Sequence, residues 1–463
     1  SRSAIIRSQR EIATLGFFEP EQIIINPVSK PEKGEVDIEY TVVEKPSDQL
    51  ELSAGWGSNT VVGSVGVSLN NFSIKNVFKK DGWQPIPSGD GQRLSLRFQS
   101  TGPAYQSLSA SFTEPWLGGK RPNAFSISTF TSRQCSTCFW DDISAENQSI
   151  LLITGGSIGL GQRLQWPDDN FTLQNSLNYQ YYSLQNWNTD FIFGNGTSNN
   201  LSFTSTLARY SLDQPIYPRS GSNVMLSVQF TPPWSSIFGT DFSGMKPFDP
   251  RKYRWAEYHK WKFKAEWYTS IVGNLVLKTS AKFGLMGFYD PNIGYSPFER
   301  FQVGGDGISN FNLSGRDIIA LRGYDENQVT YNVETIEELN ADGEVVYDDF
   351  GNAKIRNVNV SDPFYAKYTV ELRYPISLNP SSTIYGLAFV EGGESWNNFK
   401  TFNPFEVKRS AGLGLRVYLP MFGTLGFDYG VGFDKAVVNK PTGTWDYISS
   451  KGRFSVVLGL EPE

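Results

Sequence analysis

The residues of this chain that could do chemistry are few, and they point to charge pairing rather than covalent catalysis. There is one histidine, His259, and there are two cysteines, Cys135 and Cys138. That argues against a Ser-His-Asp triad or a histidine-rich metal centre, and no nucleophile–base pair stands out. Neither an enzyme, a metal nor a cofactor is expected. Cys135-x-x-Cys138 reads most plainly as a local disulfide tightening a loop. A redox pair or half a zinc site are the alternatives, although zinc would lack a second pair and a nearby histidine. His259 reads as a neutral residue at the start of a strand. The charge in the most demanding setting is Arg322, in Leu321-Arg322-Gly323-Tyr324. Gly323 lets the backbone turn tightly. A guanidinium that leaves water needs carboxylates, and a bidentate pair suits its planar fork. On these residues alone the competing reading is a surface arginine in a mobile loop.

Which carboxylates can reach Arg322 depends on the elements that carry them. Only 39% of the 463 residues are hydrophobic, yet 14% are aromatic, with 44 Gly, 12 Trp, 22 Tyr and 33 Phe. A disordered chain lacks such aromatics, and the apolar runs of about 20 residues that a membrane helix needs are not found. The net charge of −6 offers no basic field to nucleic acid. A polar, aromatic-rich, glycine-rich chain of this kind reads as a transmembrane β-barrel, because half of each strand faces lipid and half faces water.

From about Leu50 the hydrophobic period is two. Trp261, Phe263, Ala265, Trp267 and Thr269 share one face of a strand; Lys260, Lys262, Lys264, Glu266 and Tyr268 share the other. In a barrel the apolar face meets lipid and the charged face lines a wet interior. About sixteen such segments lie near 50–57, 61–71, 91–101, 104–113, 122–134, 151–163, 168–183, 198–210, 221–231, 258–270, 275–288, 363–376, 382–391, 408–419, 422–431 and 452–460. By alternation Glu371 on the twelfth and Glu391 on the thirteenth both point inward. Connections alternate between short ones, such as Val272-Gly273-Asn274, and long ones: 135–150, 184–197, 232–257, 289–362 and 392–407. Short turns belong on the periplasmic side and long loops outside; Ser73 to Gly91 is an exception. The middle of 289–362, Glu334 to Asp349, is acidic and suggests a solvated hairpin around Ala341-Asp342-Gly343.

Residues 1–47 differ. Ala4 to Phe18 has near-helical spacing, and short strands are expected at Ile23 to Ile25 and Val36 to Val43, separated by a turn from Pro27 to Gly34. This makes too small a core to stand alone. It reads as the end of a truncated soluble module. No signal peptide is visible, so the chain is expected to be part of a longer precursor.

Here the chain resembles the BamA family, the outer-membrane barrels that fold other barrels into the membrane. Leu321-Arg322-Gly323-Tyr324 matches the Val/Leu-Arg-Gly-Phe/Tyr tip of the family's sixth extracellular loop. Four residues alone are weak, but others agree in order. Phe112 to Leu117 resembles the turn after strand 4, Asp213 to Gly221 the turn before strand 9, and Phe301 to Gly305 the approach to the loop tip. Gly412 to Arg416 and Gly426 to Gly430 resemble strands 14 and 15. The amino-terminal module resembles the second half of a POTRA domain.

The resemblance implies a 16-stranded antiparallel transmembrane β-barrel over 48–463, with loop 289–362 folded back into the lumen, and a partial α/β POTRA module over 1–47 in the periplasm of a Gram-negative cell. It makes Glu371 and Glu391 the acidic partners of Arg322. It makes the seam a lateral gate, formed on the first strand by Leu50, Leu52, Gly55, Trp56 and Gly57, and on the last by Phe454, Val456, Leu458, Gly459 and Leu460. Glycine weakens a strand, and an exposed edge templates another strand. The ending Leu460-Glu461-Pro462-Glu463 departs from the family by lacking a terminal aromatic. The implied function is folding and insertion of β-barrel proteins. Its partners would be unfolded outer-membrane clients, membrane lipids and accessory lipoproteins at the POTRA region. The long loops 232–257 and 289–362 are candidate sites for surface partners. The alternatives are a two-partner-secretion-type transporter and a passive porin.

Overall fold

The computed structural model describes residues 23–30, 34–43, 48–57, 60–83, 86–119, 121–138, 148–187, 192–305, 316–326, 328–330, 332–340, 342–348, 350–379, 382–419, 423–435 and 450–458, with a few isolated positions before residue 20. The helix expected over Ala4 to Phe18 falls almost wholly outside these residues. The two strands after it form their own antiparallel sheet, β1 (Ile24–Lys30) with β2 (Glu35–Thr41). Here the expected turn is too long. Pro27 to Lys30 belong to β1, with Pro27 opposite Ile38, because an edge strand tolerates a residue without an N–H. Of the expected turn, Gly34 takes a turn conformation, with φ +66°.

The large sheet begins with β3 (Gln49–Gly57), β4 (Thr60–Phe72), β5 (Gln92–Ser100), β6 (Tyr105–Glu114), β7 (Ala124–Cys135) and β8 (Ile150–Arg163). It continues through β9 (Phe171–Gln185), β10 (Gly196–Tyr210), β11 (Ser220–Phe230), β12 (His259–Val272) and β13 (Leu275–Gly287). The longest connection holds four short strands, β14 (Phe301–Val303), β15 (Asp317–Ile319), β16 (Val333–Glu337) and β17 (Ile355–Asn359). The sheet resumes with β18 (Phe364–Asn379), β19 (Ser382–Trp396), β20 (Lys408–Leu419), β21 (Gly423–Gly432) and β22 (Gly452–Leu458). Sixteen strands thus lie side by side, each antiparallel to the next along the chain, with β13 passing directly to β18. This is the architecture of a sixteen-stranded transmembrane barrel. Among the described residues β3 pairs only with β4 and β22 only with β21.

Burial follows the inverted rule of a barrel. On β12 Trp261, Phe263 and Trp267 are exposed on the outside, while Lys260 and Glu266 are buried. The same outward apolar stripe continues through Leu226, Leu285, Val370 and Val390. A soluble sandwich would bury this stripe and expose the lysines; lipid contact explains the reverse. The largest buried apolar side chains, including Trp187, Tyr258, Phe298, Phe301 and Tyr324, instead sit where the long connections pack over and into one end of the sheet.

Two expectations about the loops need correction. The thirteenth strand does not end at Glu391: β19 runs on to Trp396, and Gly392 and Gly393 pair with Tyr368 and Lys367 of β18. A Cβ on Gly393 would stand 3.2 Å from Leu321 Cδ1. Gly393 makes room for the loop, Gly392 makes room for Val407, and neither ends the strand. The acidic segment also forms more than one hairpin. β16 and β17 make a stem, and above it Glu338 N–H donates to Lys354 O, Val346 N–H to Glu338 O and Lys354 N–H to Val346 O. Two small turns extend from that junction, bridged at Leu339–Val345 and Tyr347–Ala353; Ala341 lies outside the described residues.

If the apolar stripe faces hydrocarbon, a charge placed on it is costly. Leu226→Arg, near the middle of β11, is expected to lower unfolding stability in lipid vesicles by about 2–4 kcal/mol. Unchanged stability would contradict the outward orientation.

Candidate functional site: a charge cluster around the loop tip

The long connection turns inward soon after β13. β14 and β15 pair in parallel, Phe301 opposite Asp317, and dock on β12. There Lys260 Nζ meets Asp317 Oδ2 at 2.8 Å and Glu299 Oε2 at 2.9 Å, and Lys262 Nζ meets Asp317 at 3.2 Å. Burial alone would raise the Asp317 carboxyl, but Lys260 and Lys262 outweigh it and hold it well below the usual carboxylate range. Lys260 also lies over the Phe301 ring, 4.9 Å from its centre. The base of the loop is therefore fixed before the tip begins.

At the tip Leu321 and Tyr324 are fully buried. Arg322 Nη2 donates to Glu371 Oε1 at 2.6 Å and Glu391 Oε1 at 2.7 Å, and the Arg322 backbone N–H donates to Glu391 Oε2 at 2.9 Å. One glutamate thus holds both the side chain and the backbone of the arginine. The guanidinium carbon sits 3.7 Å above the Phe389 ring, and Asp428 Oδ1 is 3.8 Å from Nη1. Burial disfavours the charge, but Glu391 and Glu371 outweigh it, so Arg322 is held above its ordinary value. At this site it is a permanent cation.

The carboxylates are themselves satisfied. Glu371 Oε2 accepts from Arg373 Nε at 2.8 Å and Nη2 at 2.6 Å. Glu391 Oε1 accepts from Thr369 Oγ1 at 3.2 Å and pairs with Lys367 Nζ at 3.1 Å. Lys367 Nζ also donates to Ala320 O at 2.6 Å, and Arg416 binds both oxygens of Asp428 at 2.8 Å. A buried ion pair stabilises only when its remaining donors and acceptors are met, and the oxygens of Glu371 and Glu391 meet that condition.

Gly323, at φ +92°, lets the tip lie against β21. A Cβ there would come within 3.1 Å of Gly432 N and Val431 C, and one on Gly430 within 2.8 Å of Gly323 N. Beyond it, Tyr324 OH donates to Arg409 O at 2.9 Å and accepts from Asp434 N–H at 3.1 Å. Arg453 of β22 donates to Tyr324 O at 3.0 Å and Asp325 Oδ1 at 2.6 Å. The tip therefore touches β18 to β22, including the last strand.

Alternation placed Glu371 and Glu391 inward, and the structure brings both to Arg322. Asp428, Arg416, Lys367, Arg373, Phe389 and Arg453 were missed, although the same alternation turns them inward. Cys135 and Cys138 form a disulfide with Cα atoms 5.5 Å apart. His259 opens β12, and its Nδ1 accepts from Trp261 Nε1 at 3.2 Å. At the seam, Leu50, Leu52, Gly55, Trp56 and Gly57 lie on β3 opposite residues of β4. Phe454, Val456 and Leu458 lie on β22 opposite Tyr429, Phe427 and Leu425, and Phe454 is 60% exposed on the lipid side. Gly459 and Leu460 lie outside the described residues.

Removing Arg322 takes one charged donor from each of two buried carboxylates and leaves them to Arg373 and Lys367, so Arg322→Ala is expected to cost about 3–5 kcal/mol and to open loop 289–362 to trypsin. Arg322→Lys should lose less, because it keeps the charge without the fork. Heat-modifiability midpoints of the folded barrel check the order, and equal midpoints for all three proteins would refute it.

Residues 88–461 match the family model described as the Omp85 superfamily domain. Over 438 residues the chain is 22% identical to the outer membrane protein assembly factor BamA of Neisseria meningitidis, a match covering 90% of this chain and 45% of that protein. The chain thus spans less than half the length of this curated relative. Among solved structures, BamA from Haemophilus ducreyi lacking POTRA domains 1-3 aligns with a TM-score of 0.58 at 17% identity, over 94% of this chain and 76% of that one. CdiB from Escherichia coli aligns with a TM-score of 0.55 at 12% identity, over 91% of this chain and 66% of that one. At these identities the two structures share the fold.

Proposed function

The chain belongs to the Omp85 superfamily, and on that premise we propose that it folds and inserts β-barrel proteins into the outer membrane of a Gram-negative cell. In this reading residues 1–47 are the end of a periplasmic POTRA module that accessory lipoproteins approach, and the long connections face outside. The seam between β3 and β22 is a lateral gate that offers its strand edge to unfolded clients. No covalent step is needed. The client supplies the driving force by satisfying its own backbone, since unpaired N–H and C=O groups are costly in lipid.

The observation that carries the reading is the attachment of the loop tip. Arg322 is held by two carboxylates on the wall, and Arg453 ties the same tip to the last strand. The loop thereby braces the wall beside the seam while strands exchange. A two-partner-secretion-type transporter or a porin would have to clear this loop from its lumen, at the cost of several buried ion pairs.

Depletion of the full-length protein tests the proposal. Folded barrel proteins of many kinds should disappear together from the outer membrane. Loss of a single secreted protein, with other barrels intact, would instead favour the transporter.

A further inference from the structure

The inner wall beside the loop carries a second feature, centred on Lys282, that shares only Lys367 with the Arg322 cluster. β12, β13 and β18 are neighbours, and their register sets Lys264 opposite Lys282 and Lys282 opposite Lys367. All three lie on the inward face that also bears Lys278 and Glu371. Adjacent strands are about 4.8 Å apart, so three ammonium-bearing chains stand in a row across roughly 10 Å of wall. Like charges placed directly opposite one another destabilise a sheet.

The outer two members have counter-charges. Lys367 pairs with Glu391, and Lys264 Nζ lies 3.7 Å from Glu266 Oε2. The carboxylates of this wall and of the loop docked on it, Glu266, Glu299, Asp317, Glu371 and Glu391, already serve seven other cations: Lys260, Lys262, Lys264, Lys278, Arg322, Lys367 and Arg373. Lys282, the part-buried middle member, makes no hydrogen bond or ion pair among the described residues. On the same inward face, its neighbours across the register are Lys264 on one side and Lys367 on the other.

We propose that Lys282, flanked by Lys264 and Lys367, forms a lumenal site for a small oxyanion of the phosphate class. Such an ion presents several acceptor oxygens to N–H donors and offsets the mutual repulsion of the row. The restricted hydration of the wall strengthens that attraction relative to bulk water. The site depends on the barrel lumen alone and not on the assembly reading.

Equilibrium dialysis of inorganic phosphate against the full chain, folded in detergent at constant ionic strength, tests it. About one phosphate should bind per chain, and Lys282→Gln should weaken it roughly ten- to hundredfold, as expected for loss of a charged hydrogen-bond donor. Lys282→Arg, which preserves the charge, should retain binding, and Lys80→Gln, outside the sheet, should leave it unchanged. In phosphate-free buffer Lys282→Gln should unfold at a higher temperature than the parent, because the row loses its central charge. Absence of saturable binding, or binding undiminished in Lys282→Gln, would overturn the proposal.

Discussion

A guanidinium inside a barrel has to be met by carboxylates already fixed in the wall, and much of this molecule's arrangement follows from that requirement. Arg322 reaches Glu371 and Glu391 from adjacent strands, so its position fixes the loop against β18 and β19 together. Neither glutamate is left with idle oxygens: Arg373, Lys367 and Thr369 occupy what Arg322 does not. In surroundings of low effective dielectric such a network is stabilising only when complete. This gives a physical reason for several charges to lie within one small volume.

The loop also needs space, and the wall provides it by omission of side chains. Gly393 yields to Leu321, and Gly430 and Gly432 yield to Gly323 and Tyr324. The tip can then lie on the backbone of β21 and reach Arg453 on β22. A plug resting only on side chains would leave the final strands free to move independently of it. Direct backbone packing couples them, which is the mechanical basis for giving the loop a bracing role beside the seam.

The fold was legible because alternation is strict wherever one face meets lipid. The Trp261–Trp267 stripe and the Lys260–Glu266 stripe fixed both strand type and orientation, and the number of strands followed. Alternation also turned Glu371 and Glu391 inward, while their assignment to Arg322 came from the resemblance of the loop tip. What stayed hidden depended on contacts between distant segments. The extension of β19 through Gly392 and Gly393 reads locally as a break, and only distant neighbours explain those glycines, Val407 for the first and Leu321 for the second. The membership of Pro27 in β1 required knowing that its strand is an edge. The bond from Arg453 to Asp325 spans 128 residues and carries no local pattern. Asp428 and Arg416 were legible in principle, since both alternate inward, but nothing in the loop motif asked for a third acid.

Arg322 and Glu391 act as one coupled unit rather than as two separately tolerated charges. A double-mutant cycle on Arg322→Ala and Glu391→Ala, read from unfolding free energies in lipid vesicles, measures that coupling directly. The expected coupling energy is above about 1.5 kcal/mol, with the double variant much less damaged than the sum of the two single ones. Additivity to within about 0.5 kcal/mol would show that the two do not depend on each other, and would contradict it.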